Sequence, residues 1–401
     1  MRIKIFLALI ILFDLIFLLY GVKTLSISYK EAEILYNGSD FLHYLVKGST
    51  YLFGENDFGL RFPFILSHIL SIILIYQISK FYLKRDEDRV LVVIFFILLP
   101  GVVSSALLVN SASVVIFFTL LFLYLCLRKK ENLYSLLFPL LVFIDNSFMI
   151  LYLGVFAYAI YSKNRYLSIL SGMMFLISLY LYGFGVHGKP RGYFLDLFGA
   201  YSLIFSPLVF LYFFYTMYRI LIKGKKSIVW FVSFTALIFS LIISFRQRVI
   251  IEDFAPFVVV SIPLMVQIFL KSYRTRLPKL RRSLKLFFIL VFGFLVINFI
   301  MTYYNQYLYR FYKDPKKHFA YKYHIAKELA YWLKKNGIED IKSDPLISKR
   351  LRFYSIKSSS SIFTLHKILD ENSEKNGSKC VTIRYFSYPI ERYCVTKLNT
   401  K

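Results

Sequence analysis

The residues of this chain whose types suit chemistry gather in a few short stretches. Tyr29-Lys30-Glu31-Ala32-Glu33 sets two carboxylates beside a lysine, and Asp40 and His43 follow shortly after. A carboxylate beside an acceptor hydroxyl can take its proton, and a nearby histidine can orient the acceptor or shuttle that proton. Farther along stand two cation pairs, Lys189/Arg191 within Gly188-Lys189-Pro190-Arg191-Gly192 and Arg246/Arg248, while Arg61 opens an apolar run. The planar guanidinium fork matches phosphate oxygens. Each feature also has a plainer reading. Glu31 and Glu33 are two apart, so on a helix they do not share a face, and acids at a helix start are favoured by its dipole. An arginine bordering a span can snorkel, and a lone histidine in an interfacial helix can simply pack. There is no Gly-rich phosphate loop, no His/Cys cluster with metal spacing and no internal repeat.

The elements that must position these residues are membrane helices. Of 401 residues, 58% are hydrophobic and 19% aromatic, with 43 Phe and 33 Tyr. A soluble domain carries roughly 45–50% apolar residues and needs a polar skin, so this excess requires lipid. The same composition excludes fibrous, disordered and disulfide-scaffold classes. Apolar segments fall near 4–21, 61–82, 89–109, 112–127, 133–145, 147–161, 166–184, 197–222, 227–245, 254–270 and 285–303. This reads as an all-α polytopic protein of about eleven spans. Small residues are missing where a leader would be cut, with Leu18, Leu19, Tyr20 and Gly21 instead, so the first helix is expected to be retained. Asp14 within it is expected to face the bundle and hydrogen-bond there.

Charge sets an expected orientation. The loops grouped with the N-terminus hold 22 Lys and Arg, whereas the short loops opposite hold eight. The positive-inside rule therefore predicts a cytoplasmic N-terminus, a multi-pass protein of the cytoplasmic membrane and an external tail. The chain carries 50 basic and 23 acidic residues, net +27, and residues 304–401 alone carry +11. A basic external tail suits lipid headgroups or glycan phosphates, and nucleic acid is not an expected partner.

The external loop 22–60 spaces its apolar residues (Ile34, Leu35, Phe41, Leu42, Leu45 and Val46 among them) as amphipathic helices do, with a break at Asn37-Gly38. The domain boundaries expected are 1–303 for the membrane part, loop included, and 304–401 for a small α/β domain. In the tail, Tyr321–Lys335 is predicted to be a helix stopped by Asn336-Gly337. Ile338–Ile341, Phe353–Ile356, Cys380–Phe386 and Arg392–Leu398 are predicted strands. Cys126 lies in an apolar segment, leaving Cys380 and Cys394 as the pair that could join. With the hairpin turn at Tyr388–Glu391, they are expected not to face each other.

The phrase Tyr51-Leu52-Phe53-Gly54-Glu55-Asn56-Asp57-Phe58-Gly59-Leu60-Arg61-Phe62-Pro63 resembles one found in GT-C type, polyprenyl-phosphate-dependent glycosyltransferases of the protein O-mannosyltransferase-like group. There it reads roughly Leu-Phe-Gly-x-x-x-x-x-Leu-Arg-x-Pro at the entrance to the second span. The layout is similar over about 1–300, and Arg246–Pro256 looks like the group's basic, Pro-containing return to the membrane. The resemblance implies a GT-C-like fold and inverting transfer of a sugar from a polyprenyl-phosphate donor to a glycolipid, glycan or protein acceptor outside the cell membrane. It assigns no certain cofactor and leaves room for a divalent cation. The group carries an Asp-Glu pair early in its first external loop, whose Asp is thought to deprotonate the acceptor, and Lys30 stands where that Asp would be. A second acidic position falls in Asn110-Ser111-Ala112-Ser113, where there is no acid. The base then has to be Glu31, Glu33 or Asp40, with Lys30, His43, Arg61, Lys189, Arg191, Arg246 and Arg248 as substrate-binding candidates and no metal ligand. Two other readings stand beside this one: an inactive relative that binds lipid-linked glycan, and a glycan polymerase or ligase.

Overall fold

A segment inside hydrocarbon must satisfy its own backbone polar groups, and the apolar segments do so as helices. In the computed structural model, which describes residues 2–183, 192–359, 363–368 and 379–397, five helices are long and apolar enough to cross a membrane. They are Ile3–Thr24, Asp57–Ser79, Arg165–Tyr182, Ala255–Thr275 and Pro278–Tyr303. Two bent pairs raise the number to seven, and shorter apolar helices occupy Ala112–Leu127, Glu131–Phe143, Phe148–Tyr161 and Ile228–Ser244. The protein is thus all-α and polytopic, with one small three-stranded sheet near its C-terminus.

The bent pairs correct two segments expected to run straight. Asp86–Leu98 and Pro100–Leu107 meet at 61°, and Phe194–Phe205 and Pro207–Lys223 meet at 106°. A proline opens the second helix in each case. It has no N–H to continue the ladder, and its ring pushes the preceding residue out of helical geometry. The second bend also places Ser206 at a φ of 71°. The segment 197–222 is therefore two helices with a sharp corner.

By its contacts the chain divides into two units, Met1–Ile16 with Phe64–Ile300, and Phe17–Pro63 with Met301–Lys401. Within the first, polar side chains tie apolar helices together. His68 Nε2 lies 2.8 Å from Asp14 Oδ2, both buried, as expected for an acid facing the bundle. Ser113 donates to the Phe64 carbonyl, Ser233 to that of Phe257, and the Trp230 indole to that of Met217. Between Phe148–Tyr161 and Ile228–Ser244 the backbones come so close that a Cβ on Gly154 would lie 2.9 Å from Val232 Cα. Small residues at such contacts allow the packing that drives helix association in lipid.

The second unit differs from the expected division, because the loop 22–60 groups with the tail. The reason is hydrogen bonding. Leu25–Ser28 is buried between two helices and outside regular structure, so its backbone groups need partners. The unit supplies them: Arg350 Nε donates to the Ile27 carbonyl at 2.9 Å, the Ile27 N–H donates to Tyr354, and the Ser26 N–H donates to the Tyr323 carbonyl at 2.8 Å. The loop itself forms the two expected helices, Tyr29–Asn37 and Phe41–Phe53. Gly38 is required between them, since a Cβ there would sit 2.8 Å from the Ile34 carbonyl and 2.9 Å from His43 Cβ.

In the tail, the predicted helix begins later, at Ala326, and buries Leu329, Ala330 and Leu333 before ending where Gly337 takes a φ of 70°. Tyr321–Tyr323 is a separate 3-10 turn. Two predicted strands are not formed. Within 338–341 Asp340 makes one isolated bridge, to Lys357, and Pro345–Phe353 is a helix opened by Asp344 and Pro345. The sheet instead holds β1 (Phe363–Ile368), β2 (Lys379–Tyr385) and β3 (Tyr388–Lys397) in the antiparallel order β1-β3-β2. Its buried residues Leu365, Ile383, Ile390 and Val395 share a core with Leu329, Leu333 and Leu351.

The hairpin also overturns the expectation for the cysteines. Its turn is Phe386-Ser387, both at positive φ, so Tyr385 pairs with Tyr388. A bulge between Ile383 and Arg384 then shifts the register by one residue and sets Cys380 opposite Cys394, where they form a disulfide. Without the bulge, Cys380 would face Tyr393. Mass spectrometry of the non-reduced, digested protein should recover Cys380 and Cys394 in one cross-linked peptide, with Cys126 as the single thiol alkylated after denaturation.

Candidate active site

Within the unit that holds the loop 22–60, the fully buried Arg61 guanidinium is the centre of a charged cluster. Its Nη2 lies 3.6 Å from Glu31 and its Nη1 3.6 Å from Asp57, one helical turn earlier. It also donates to the Ser26 and Leu25 carbonyls at 3.2 and 3.4 Å. Glu31 closes a capping box: its carboxylate accepts the Ser28 N–H at 2.8 Å while Ser28 Oγ accepts the Glu31 N–H. Glu31 is only 1% exposed.

Asp57, to which sequence reasoning assigned no role, has three partners: Arg61, the Lys327 ammonium at 2.6 Å and the Tyr354 hydroxyl at 2.9 Å. Its signal in the sequence is its position four before Arg61, where opposite charges meet on a helix.

The other loop candidates are dispersed. Glu33 accepts from Lys349 at 3.0 Å and Asn37 at 3.2 Å, and a hydrogen bond from Tyr29, with these two, holds its carboxyl below the usual range. Asp40 is exposed at the start of Phe41–Phe53 and makes no capping bond. His43 is buried with Nδ1 2.7 Å from the Ile34 carbonyl, which fastens the two loop helices across Gly38. Lys30 is exposed. Lys189 and Arg191 lie outside the described residues.

Within the other unit, a cavity of about 570 Å³ is lined by Asn146, Ser147, Gln247, Arg248 and Asp253, with apolar walls from Ile150 and Phe254. Arg248 is exposed and pairs loosely with Asp196 at 3.6 Å. Arg246, also exposed, is not among the lining residues. The buried Ser147 hydroxyl has no hydrogen-bond partner among the described residues. Asp253 is half-buried, and desolvation, with the charges of Asp145 and Glu252 adding to it, pushes its carboxyl up to about 7. A carboxyl that releases its proton near neutrality can act as a general base. Sequence reasoning missed this residue, although two acids in a row after Arg246 and Arg248 marked the loop. Among the described residues, no group of three His, Cys, Asp or Glu could hold a metal ion.

The two constellations respond differently to substitution. Arg61→Ala leaves Glu31 buried without its cation and strips two carbonyls of a donor. It should cost about 3–5 kcal/mol. Glu31→Gln keeps an acceptor for the capping box and should cost about 1–2 kcal/mol. Thermal unfolding of the purified protein in detergent checks the order. Equal melting of Arg61→Ala and wild type would contradict this account of the cluster.

Comparison with known proteins finds no match among curated proteins. The model of the family described as dolichyl-phosphate-mannose-protein mannosyltransferase does match, over residues 41–187, a little over a third of the chain. That stretch begins in the loop 22–60 at Phe41 and includes the phrase around Arg61 that carries the resemblance. The match supports a multi-pass membrane protein of the glycosyltransferase kind. Over residues 41–187, then, the chain is similar to the dolichyl-phosphate-mannose-protein mannosyltransferase family, the group to which the phrase around Arg61 pointed.

Proposed function

We propose that this protein transfers a sugar from a polyprenyl-phosphate donor to a hydroxyl-bearing glycolipid, glycan or protein on the outer face of the cytoplasmic membrane. The observation that carries the reading is the cavity that gathers Asp253 and Arg248 in a chain related to GT-C glycosyltransferases. In this reading Asp253 takes the proton of the acceptor hydroxyl as its oxygen attacks the anomeric carbon. The bond from that carbon to the phosphate oxygen breaks, and the electron pair leaves with the phosphate, so one displacement inverts the anomeric centre. Arg248, with Arg246 beside it in sequence, draws the developing phosphate charge. Ser147 and Gln247 offer hydrogen bonds to sugar hydroxyls. A narrow cleft lined by Phe95, Leu99, Tyr212, Phe269, Phe288 and Val291 suits the prenyl chain. The topology required, with the loop 246–253 outside, is the one favoured by the Lys/Arg bias.

The second reading is a relative that binds lipid-linked glycan without transferring it. It is favoured by the engagement of Glu31 in a capping box and ion pair, and by Lys30 at the position of the group's Asp.

Transfer of labelled sugar from polyprenyl-phosphate donors separates the two. If Asp253 is the base, it works only when ionised. Wild-type kcat/KM should therefore climb with pH through about 7, and Asp253→Asn should lower it by a factor of about 100 or more and abolish that limb. Glu31→Gln should retain turnover. Loss of turnover in Glu31→Gln with an unchanged melting temperature would return the base to the loop. Donor binding without turnover in wild type would establish the binding protein.

A further inference from the structure

Pro207–Lys223 and Ile262–Thr275 end beside a second polar cavity, of about 460 Å³. Three cations line it, Arg219, Lys223 and Arg276, and no carboxylate does. Arg219 is set in place. Its guanidinium donates to Ser272 Oγ at 2.6 Å and to the Tyr215 hydroxyl at 3.2 Å, and rests over the Tyr215 ring. Those bonds use two of its five N–H donors and leave the others for an anion. On Asp86–Leu98, which packs against Ile262–Thr275, Asp88 is already held by Arg274 at 2.5 and 2.8 Å and Asp86 by Arg89.

The cavity opens onto an apolar track. Leu211, Tyr215, Tyr218 and Ile222 are all exposed, at 60, 47, 61 and 57%. Their spacing puts them along one face of Pro207–Lys223. On a membrane helix such a face meets lipid tails, with the tyrosines at headgroup level. The cavity is also remote from the one that holds Asp253. The Trp230 indole donates to the Met217 carbonyl, so Ile228–Ser244 starts beside it, and that helix ends at the Asp253 cavity, which Ile243 lines.

We propose that this cavity binds the phosphate headgroup of an anionic phospholipid, with its acyl chains lying along the Leu211–Ile222 face. Arg219 supplies the oriented contact, and Lys223 and Arg276 close on the phosphate oxygens from the ends of the two helices. A basic pocket between helix ends is suited to such a headgroup, and a lipid present throughout the bilayer needs no delivery. This site is independent of the sugar-transfer reading.

Native mass spectrometry of the full-length protein in mild detergent tests it, with phosphatidylglycerol and phosphatidylcholine added at equal concentration. Phosphatidylglycerol should be retained preferentially. Lys223→Ala/Arg276→Ala removes two exposed cations and keeps the bonds of Arg219, so the fold should survive while retention falls about tenfold. Lys84→Ala/Lys130→Ala, an equal loss of exposed charge from other loops of the same basic set, should bind as wild type does. Equal retention of the two lipids, or equal loss in both double variants, would overturn the proposal. Selective displacement of phosphatidylglycerol by an equimolar polyprenyl phosphate would also overturn it, assigning the cavity to a lipid-phosphate substrate or product.

Discussion

The stretch Leu25–Ser28 is buried and lies outside regular secondary structure, so the backbone groups of Ser26 and Ile27 need partners from elsewhere. Two guanidiniums meet this need, Arg61 at the Leu25 and Ser26 carbonyls and Arg350 at that of Ile27. Arg350 also donates to the His324 carbonyl at 2.6 Å and to Ser26 Oγ, so residues far apart in sequence are joined at one point. Arginine suits the task because its donors are fixed in a plane and its charge persists when buried, even though burial lowers the pKa of Arg350. Around this point the loop helices, the tail helices and the sheet form one unit.

That constraint decides the fate of the loop carboxylates. A buried guanidinium demands negative charge, and Glu31 and Asp57 provide it. Each is then held by further bonds, Glu31 by the capping box and Asp57 by Lys327 and Tyr354. Both carboxylates are thus engaged by a cation and by hydrogen-bond donors at once. Asp253 stands in the reverse situation. Desolvation, with the charges of Asp145 and Glu252 adding to it, raises its affinity for a proton, which is the property a base near neutral pH needs.

In the membrane unit, polar groups again do the ordering. Apolar helices in lipid have little hydrophobic reason to choose one neighbour over another. Asp14 with His68, Ser233 at the Phe257 carbonyl and the Gly154 contact with Val232 make the choice specific. Prolines at 100 and 207 break two apolar segments into angled pairs, and those corners shape the walls that the remaining helices complete.

Much was legible in the sequence alone. Composition and segment length determined a polytopic helical protein, because only lipid can receive so many apolar side chains. Periodicity revealed the loop helices, Asn37-Gly38 their break, and Asn336-Gly337 the end of the tail helix, since each signal acts within a few residues. The phrase around Arg61 pointed to the family that residues 41–187 match. Tertiary structure alone decided the rest, and in each case the physics is long-range. The disulfide depended on a single-residue bulge that composition does not announce. The loop joined the tail because an arginine about 320 residues away reaches a backbone carbonyl. Glu31 met a buried arginine and Asp253 a half-buried cavity wall because the packing around each carboxylate, rather than its residue type, set its surroundings.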